Sequence, residues 1–257
     1  MALATGILFV LASAAGQPDP VLGATLTWDG GGATNNWSEA ANWSTNVVPG
    51  TGDIARFDAS SAKPATVDVN IAVAGLEVDA AYAGTLTQAG RTITLGASGY
   101  SQAGGAFSGG TAAITVNGPY TLSGGSFTST RGTLSVVGDL THSAGTFAHA
   151  NGTLRLIGAA ATLDVPGSAD LWNLTLAQGN GVAKTIAAGD TLVVNGTLTL
   201  TNGTLEGGTL AAHGDITQAA GFDGGLGTLR IVGAGAQLFT GSATRTAGAL
   251  PPVVIDK

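Results

Sequence analysis

The chain has 257 residues, with 9 Lys and Arg against 16 Asp and Glu, a net charge of −7 and no Cys. Charged residues make up only 10% of it and hydrophobic residues 44%, while Gly fills 42 positions. The apolar fraction excludes a disordered chain, the low charge excludes a coiled coil, and the lack of Cys excludes a disulfide scaffold. The shortage of Lys and Arg argues against nucleic acid as a partner, because nucleic-acid binders carry a basic patch.

The first segment, residues 1–24, is predicted to be a signal peptide followed by a short linker. Leu3 to Ala15 is an apolar run, and its end at Ala12-Ser13-Ala14 fits a cleavage site. The run is shorter than the roughly 20 residues of a membrane span, and no later segment is apolar enough to cross a membrane. The first basic residue is Arg56, so the positive charge that usually opens a signal peptide is missing. A buried N-terminal helix or strand is the alternative.

Residues 25–60 differ in composition from the rest and are predicted to form an N-terminal cap with the first coils of a repeat protein. The segment holds three of the four Trp, namely Trp28, Trp37 and Trp43. These residues do not show the regular spacing of roughly 20 residues that the chain after them has. The first coil of a stacked repeat exposes unpaired backbone, which a cap would protect from edge-to-edge association.

A short repeat, with a period of about 20 residues, runs through the centre of the chain. The segments GGAF, GGSF and AGTF place Phe107, Phe127 and Phe147 at equal spacing. Pairs of alternating apolar residues, typical of strands with one buried face, follow the same spacing: Ile114/Val116, Leu134/Val136 and Leu154/Leu156. Equivalent residues of successive coils would stack about 4.8 Å apart. The predicted fold is therefore all-β, a right-handed parallel β-helix (β-solenoid) of roughly 20-residue coils over residues 61–257.

A longer repeat is superimposed on the short one. TLSVVGDL at 133–140 resembles TLAAHGDI at 209–216, and GTLRLIG at 152–158 resembles GTLRIVG at 227–233. The two pairs of segments have nearly the same offset along the chain, which predicts a duplicated block of about four coils. Residues 250–257 align with 171–178, where the earlier block continues. That alignment predicts a solenoid truncated at its C-terminus and belonging to a longer chain.

The cap and coil motifs together resemble one group of bacterial proteins. The cap motifs are Trp28-Asp29-Gly30-Gly31, Asn36-Trp37-Ser38, Asn42-Trp43-Ser44, Pro49-Gly50 and Asp53 through Phe57. With the coils that follow, residues 26–257 resemble the parallel β-helix passengers of autotransporter-type and filamentous-haemagglutinin-like surface exoproteins. The resemblance implies an exported, extracellular protein with a structural or adhesive role. It implies no shared catalytic residues.

Few side chains qualify as ligand-binding candidates. Glu77 and Asp79 have the same parity on one strand, so they can face solvent together as a carboxylate pair of the kind that cleaves glycosidic bonds. A solvated acidic face is the alternative. Trp28, Trp37 and Trp43 are candidates for stacking on sugar rings, and the alternative is that they plug the end of the solenoid.

Other chemistry has little support in the sequence. His142, His149 and His213 lack the spacing of metal ligands, and there is no nucleophile elbow, Cys nucleophile or phosphate-binding loop. No catalytic residue, metal or cofactor is predicted, and the chain is not expected to be an enzyme.

The expected function is that of a non-catalytic stalk or binding surface, secreted or at the cell surface, with extracellular glycans or host components as partners. Two alternatives stay open. One is a polysaccharide-acting β-helix enzyme or carbohydrate-binding module that uses Glu77, Asp79 and the Trp residues. The other is a secreted substrate whose residues 26–58 are recognised by a transporter.

Overall fold

The computed structural model describes residues 23–257, so nearly all of the predicted signal peptide lies outside the described residues. The described chain is all-β, with parallel strands stacked into a β-solenoid of about ten coils. Between residues 23 and 257 there is no α-helix, and one 3-10 turn spans Ala40–Asn42. No helix in this part of the chain is long and apolar enough to cross a membrane.

The strands are short, as the alternating apolar pairs predict. They are numbered here in chain order: β1 (Thr25–Thr27), β2 (Ile54–Phe57), β3 (Ala65–Thr66), β4 (Ile71–Val78), β5 (Thr85–Thr87), β6 (Ile93–Gln102), β7 (Ala106–Ser108), β8 (Ile114–Val116), β9 (Tyr120–Thr128), β10 (Thr133–Val136), β11 (Leu140–Ala148), β12 (Thr153–Gly158), β13 (Ala161–Asp164), β14 (Ser168–Leu171), β15 (Asn173–Gln178), β16 (Ala183–Ile186), β17 (Thr191–Val194), β18 (Leu198–Glu206), β19 (Thr209–Ala212), β20 (Ile216–Phe222), β21 (Thr228–Val232), β22 (Phe239–Gly241) and β23 (Val253–Asp256).

Each coil contributes to three sides of the solenoid. Sheet I contains β1, β2, the ends of β4 and β6, the starts of β9 and β11, then β13, β16 and the ends of β18 and β20. Sheet II contains β3, β5, β7 and the ends of β9 and β11. Sheet III contains the starts of β4 and β6, then β8, β10, β12, β15, β18, β20 and β22. In the later coils a separate sheet IV, made of β14, β17, β19, β21 and β23, follows sheet I along the chain as sheet II does earlier.

The strand register confirms the solenoid and refines its period. Leu134 pairs with Ile114 in the coil before it and with Leu154 in the coil after it, so these two coils have equal length. Elsewhere the length varies, and the step from Leu198 to Ile216 is shorter than the step from Leu174 to Leu198. The average is about 21 residues. The corners between strands absorb these differences, because only the strands must stay in register.

The longer repeat does not correspond to a whole number of coils, and that prediction is wrong. Thr133–Val136 lies in sheet III, whereas Thr209–Ala212, which matches it in sequence, lies in sheet IV. In register, the residue four coils after Leu134 is Ile216. A short strand with alternating apolar residues suits either side of the solenoid, so the similarity of the two segments does not reveal which sheet each one joins.

The core of the earlier coils is built on stacked aromatic columns. Phe107 and Phe127 stack with ring centroids 4.7 Å apart, and Phe127 and Phe147 follow at 5.8 Å. Each buried ring is worth about 1.5–3 kcal/mol of transfer free energy. Gly125, in the turn before Phe127, has a φ of 69°, and a Cβ there would lie 2.3 Å from the carbonyl oxygen of Gly104. Both the conformation and the close approach of the preceding coil therefore require glycine.

The segment before the first regular coils packs its indoles against the core. Trp28, Trp37 and Trp43 are each 0% exposed. Trp43 makes edge-to-face contacts with Trp28 at 5.2 Å and with Trp37 at 4.6 Å, and all three lie within 6.1 Å of the ring of Phe57. The Lys63 ammonium ties this segment down by donating to the carbonyl oxygens of two glycines and to Asn42 Oδ1. That the segment acts as a cap against association stays a prediction.

Candidate functional site

Glu77 and Asp79 lie on the outer surface of sheet I, beside an arginine. Glu77 is in register with Arg56 on one side and with Ser101 on the other. Arg56 Nε donates to Asp79 Oδ2 at 3.0 Å, and its guanidinium also lies 3.8 Å from Asp58. The hydrogen bond and charge of Asp79 raise the pKa of Arg56. One carboxylate of the pair is thus committed to an ion pair, which favours a solvated charged face over acid–base chemistry at this place.

The three indoles of the N-terminal segment have no ring face open to solvent. The indole Nε1 of Trp43 donates to the carbonyl oxygen of Trp37 at 2.8 Å, and Nε1 of Trp28 donates to that of Lys63 at 3.0 Å. The Nε1 of Trp37 is buried and finds no hydrogen-bond partner in the described chain. Stacking on a sugar needs an exposed ring face, so this geometry favours packing for Trp28, Trp37 and Trp43.

The stacking of strands on one side of the solenoid is interrupted in the middle of the molecule, where sheet II ends and sheet IV begins. Sheet II ends at β11, and β14, which follows in the next coil, pairs with β17; no pairing of β11 with β14 occurs in the described part of the chain. An apolar cavity of about 20 Å³ lies at the break, with Phe147, Ala169 and Leu171 in its lining. The side chain of β14 that faces the column of Phe rings is that of Ala169, which is in register with Leu192 on β17. Its methyl group is too small to fill the space.

A groove runs along the corner between sheets II and III, beside this break. A volume of about 600 Å³ is lined by Thr128, Arg131, Ala150 and Asn151. It continues along the preceding coil, where Ser108 through Thr111 form the wall. The corners that line the groove contain four residues each, 129–132 and 149–152. In the next coil the corner is much shorter, and Trp172 is the only residue between β14 and β15.

Trp172 lies in the coil after Asn151, in a small pocket next to this groove, and it differs from the other three indoles. It is 39% exposed, whereas Trp28, Trp37 and Trp43 are fully buried. Its ring stacks on the imidazole of His149 in the preceding coil, with centroids 5.9 Å apart and planes 27° apart. The Nδ1 of His149 in turn accepts a hydrogen bond of 2.9 Å from the backbone N–H of Asn151. This bond fixes the imidazole and places the proton of the neutral ring on Nε2.

The coils that line the groove carry positive charge in an otherwise acidic chain, whereas the coil of Trp172 carries Asp164 and Asp170. Between Asp79 and Asp164 the sequence has one acidic residue, Asp139, but three arginines: Arg91, Arg131 and Arg155. Arg131 and Arg155 are exposed and form no ion pair within residues 23–257. We refer to the groove residues Thr128, Arg131 and Asn151, together with the adjacent stacked pair His149 and Trp172, as the corner groove. No group of three or more His, Cys, Asp or Glu placed to hold a metal ion occurs in that range.

The sequence does not bring the residues of the corner groove together. Strict continuation of the short repeat places His149 against Ala169 rather than Trp172. The rings of His149 and Trp172 meet because the corner shortens from four residues, His149–Gly152, to one residue in the next coil. The short repeat does not predict this shortening. The one indication of this site in the sequence is Trp172 itself. It is a large aromatic residue at a corner between two strands, where other coils have Asn-Gly.

Comparison with known proteins gives no family to which the chain can be assigned. No protein family, no curated protein and no solved structure matches it. The β-solenoid is defined by the stacking of its own coils, and the site by the geometry described above.

Proposed function

We propose that the chain is an exported β-solenoid that serves as a structural or adhesive element, secreted or at the cell surface. One observation carries the proposal: a single cluster of buried side chains runs from Leu26 to Leu229 through the stacked coils. Each coil buries its apolar face only against its neighbours, so the chain builds a rod instead of a globule. At about 4.8 Å per coil, ten coils give a rod of roughly 48 Å.

Such a rod is suited to holding a binding surface away from an anchor. Its outward positions are often small and polar, as at the paired Thr94 and Thr115 on sheet III. The apolar N-terminal run and the cap motifs support export. The resemblance to autotransporter and filamentous-haemagglutinin passengers supports the same location, and it rests on those motifs alone.

Catalysis is not part of this proposal. The carboxylate pair that would be its starting point, Glu77 and Asp79, lies beside Arg56, which engages Asp79 directly. Incubation of the purified chain with polysaccharides tests this point. No new chain ends are expected, and their release would redirect attention to Glu77→Gln and Asp79→Asn variants.

The location is tested in cells that produce the full chain. We expect an epitope within residues 61–257 to be labelled by antibody on intact cells or recovered from the medium. The matched control is the chain without residues 1–22, which we expect to remain inside the cell. Retention of the full chain in the cytoplasm would contradict export. Unchanged attachment of cells to glycan-coated surfaces after deletion of the gene would contradict the adhesive role.

A further inference from the structure

We propose that the corner groove is a binding site for an anionic polysaccharide, with Trp172 as the stacking surface and Arg131 as the charged contact. The inference rests on the adhesive function proposed above and names the class of ligand for it. It also assigns the ligand to the middle of the rod rather than to Glu77, Asp79 and the N-terminal indoles.

Trp172 is much more exposed than the other three indoles. Indoles are usually buried in folded proteins, and here three of four are at 0% while Trp172 keeps 39% of its surface in solvent. The ring does not project freely, since the imidazole of His149 holds it from one side. A rigid aromatic surface of this kind matches the C–H face of a pyranose ring, and it loses little side-chain entropy on binding.

Polar groups lie along the corner groove at a spacing that suits a polysaccharide chain. Arg131, Asn151 and Trp172 belong to three successive coils, so Arg131 and Trp172 are separated by two coil spacings, roughly 10 Å. A sugar unit in an extended polysaccharide advances the chain by a similar distance to one coil. A glycan lying parallel to the solenoid axis can therefore place a sugar on Trp172 and a carboxylate or sulfate near Arg131. The amide of Asn151 lies between them, exposed to solvent.

The positive charge of Arg131 favours an anionic ligand over a neutral one. Arg131 has no ion-pair partner among the described residues, and its guanidinium offers paired donors that fit a carboxylate or sulfate. Arg155 lies one coil further along on sheet III and is also exposed. Asp139 is the single acidic residue between Asp79 and Asp164, and the carboxylate closest to Trp172 along the chain is that of the exposed Asp170 on β14.

The test is a titration of the purified full chain with polygalacturonate, with dextran as the neutral comparison. Because the other three indoles are fully buried, a change in tryptophan emission on adding the polymer reports mainly on Trp172. We expect polygalacturonate to shift the emission, dextran to leave it unchanged, and added salt to weaken binding. By calorimetry, Trp172→Ala and Arg131→Gln should each weaken binding about tenfold or more.

Two matched variants control for loss of an aromatic side chain and loss of charge. Phe239→Ala removes another exposed aromatic residue, 43% exposed, in the last strand of sheet III, and Arg245→Gln removes another exposed arginine. We expect both to bind like the wild type, and circular dichroism should show that all four variants fold. Equal binding by wild type, Trp172→Ala and Arg131→Gln would overturn the site and leave the adhesive proposal standing. Absence of binding to polygalacturonate would also overturn the site, while cell attachment would still decide the adhesive role.

Discussion

Phe147 and Ala169 line the same apolar cavity but belong to strands, β11 and β14, that do not pair. The column of stacked rings through Phe107 and Phe127 ends at Phe147, and the side chain on the other side of the cavity is a methyl group. A volume of about 20 Å³ is enough for one water molecule, but an apolar lining gives it no hydrogen-bond partners. The break is therefore a local packing defect between two well-packed stacks.

Filling this cavity should stabilise the solenoid. We expect Ala169→Val, a smaller enlargement than Leu, to raise the free energy of unfolding by about 0.5 kcal/mol, since the next position of the column already holds the larger Leu192. Urea denaturation measures the change. The same substitution at exposed Ala113 is the control and should have no comparable effect. A loss of stability at position 169 would show that the cavity is not available to a larger side chain.

A buried lysine holds the opposite corner of the solenoid together. Lys184 is 0% exposed, and its Nζ donates to the carbonyl oxygens of Val137 at 2.8 Å and Ala159 at 2.7 Å. These carbonyls lie in the two preceding coils. Lys184→Met removes both hydrogen bonds while keeping the volume, and we expect a loss of about 2–4 kcal/mol, measured by urea denaturation. A change below about 0.5 kcal/mol, less than one ordinary hydrogen bond contributes, would contradict this role.

The burial of Lys184 should also make the free energy of unfolding depend on pH. Burial lowers the pKa of Lys184 to about 8 from its ordinary value of 10.5. Above pH 8 the folded chain has lost a proton that the unfolded chain still holds, so folding becomes more favourable as the pH rises. The stability difference between wild type and Lys184→Met should therefore increase between pH 8 and pH 10. Denaturation curves at several pH values measure it, and a constant difference would contradict the shifted pKa.

Substitution of two of the N-terminal indoles should lower the stability of the protein by unequal amounts. Trp43→Phe removes the hydrogen bond from Nε1 to the carbonyl oxygen of Trp37, whereas Trp37→Phe removes an Nε1 that has no partner. Both lose a similar amount of buried ring. We expect Trp43→Phe to be the more destabilising by about 1 kcal/mol in thermal or urea denaturation. The reverse order would show that the packing of Trp37 outweighs its unsatisfied N–H.

The ion pair on sheet I should contribute little to stability. The side chains of Arg56 and Asp79 are 41% and 32% exposed, so water and salt screen their attraction. We expect Asp79→Asn to lower the free energy of unfolding by less than about 1 kcal/mol, and by less still at high salt. Glu77→Gln, which removes no direct partner of Arg56, is the control. A loss of several kcal/mol would show that Asp79 has a structural role that the exposed pair does not explain.

The sequence predicted the parts of the fold that depend on local repetition. Equal spacing of Phe107, Phe127 and Phe147 places three rings in one column, because a coil of constant length returns the chain to the same side. The solenoid and its parallel stacking follow from that relation. The two longer similarities failed for the same physical reason, since a short alternating strand does not specify which sheet it joins.

The features that the sequence did not predict depend on changes of corner length. The contact of His149 with Trp172 requires a corner that shrinks from several residues to one, and the break in sheet II accompanies that change. The burial of Lys184 is similar, because its partners Val137 and Ala159 lie in two other coils. Parity on a strand was enough to place Glu77 on the surface, but not to show that Arg56 lies beside it.

The proposed adhesive function is tested most directly by incubating the purified full chain with a panel of neutral and acidic polysaccharides and measuring both retention on the polymer and release of new chain ends. A rod with an adhesive groove predicts retention on acidic polymers, loss of that retention in Trp172→Ala, and no new ends. New chain ends would contradict the non-catalytic function. Retention unchanged by Trp172→Ala would contradict the corner groove as the site.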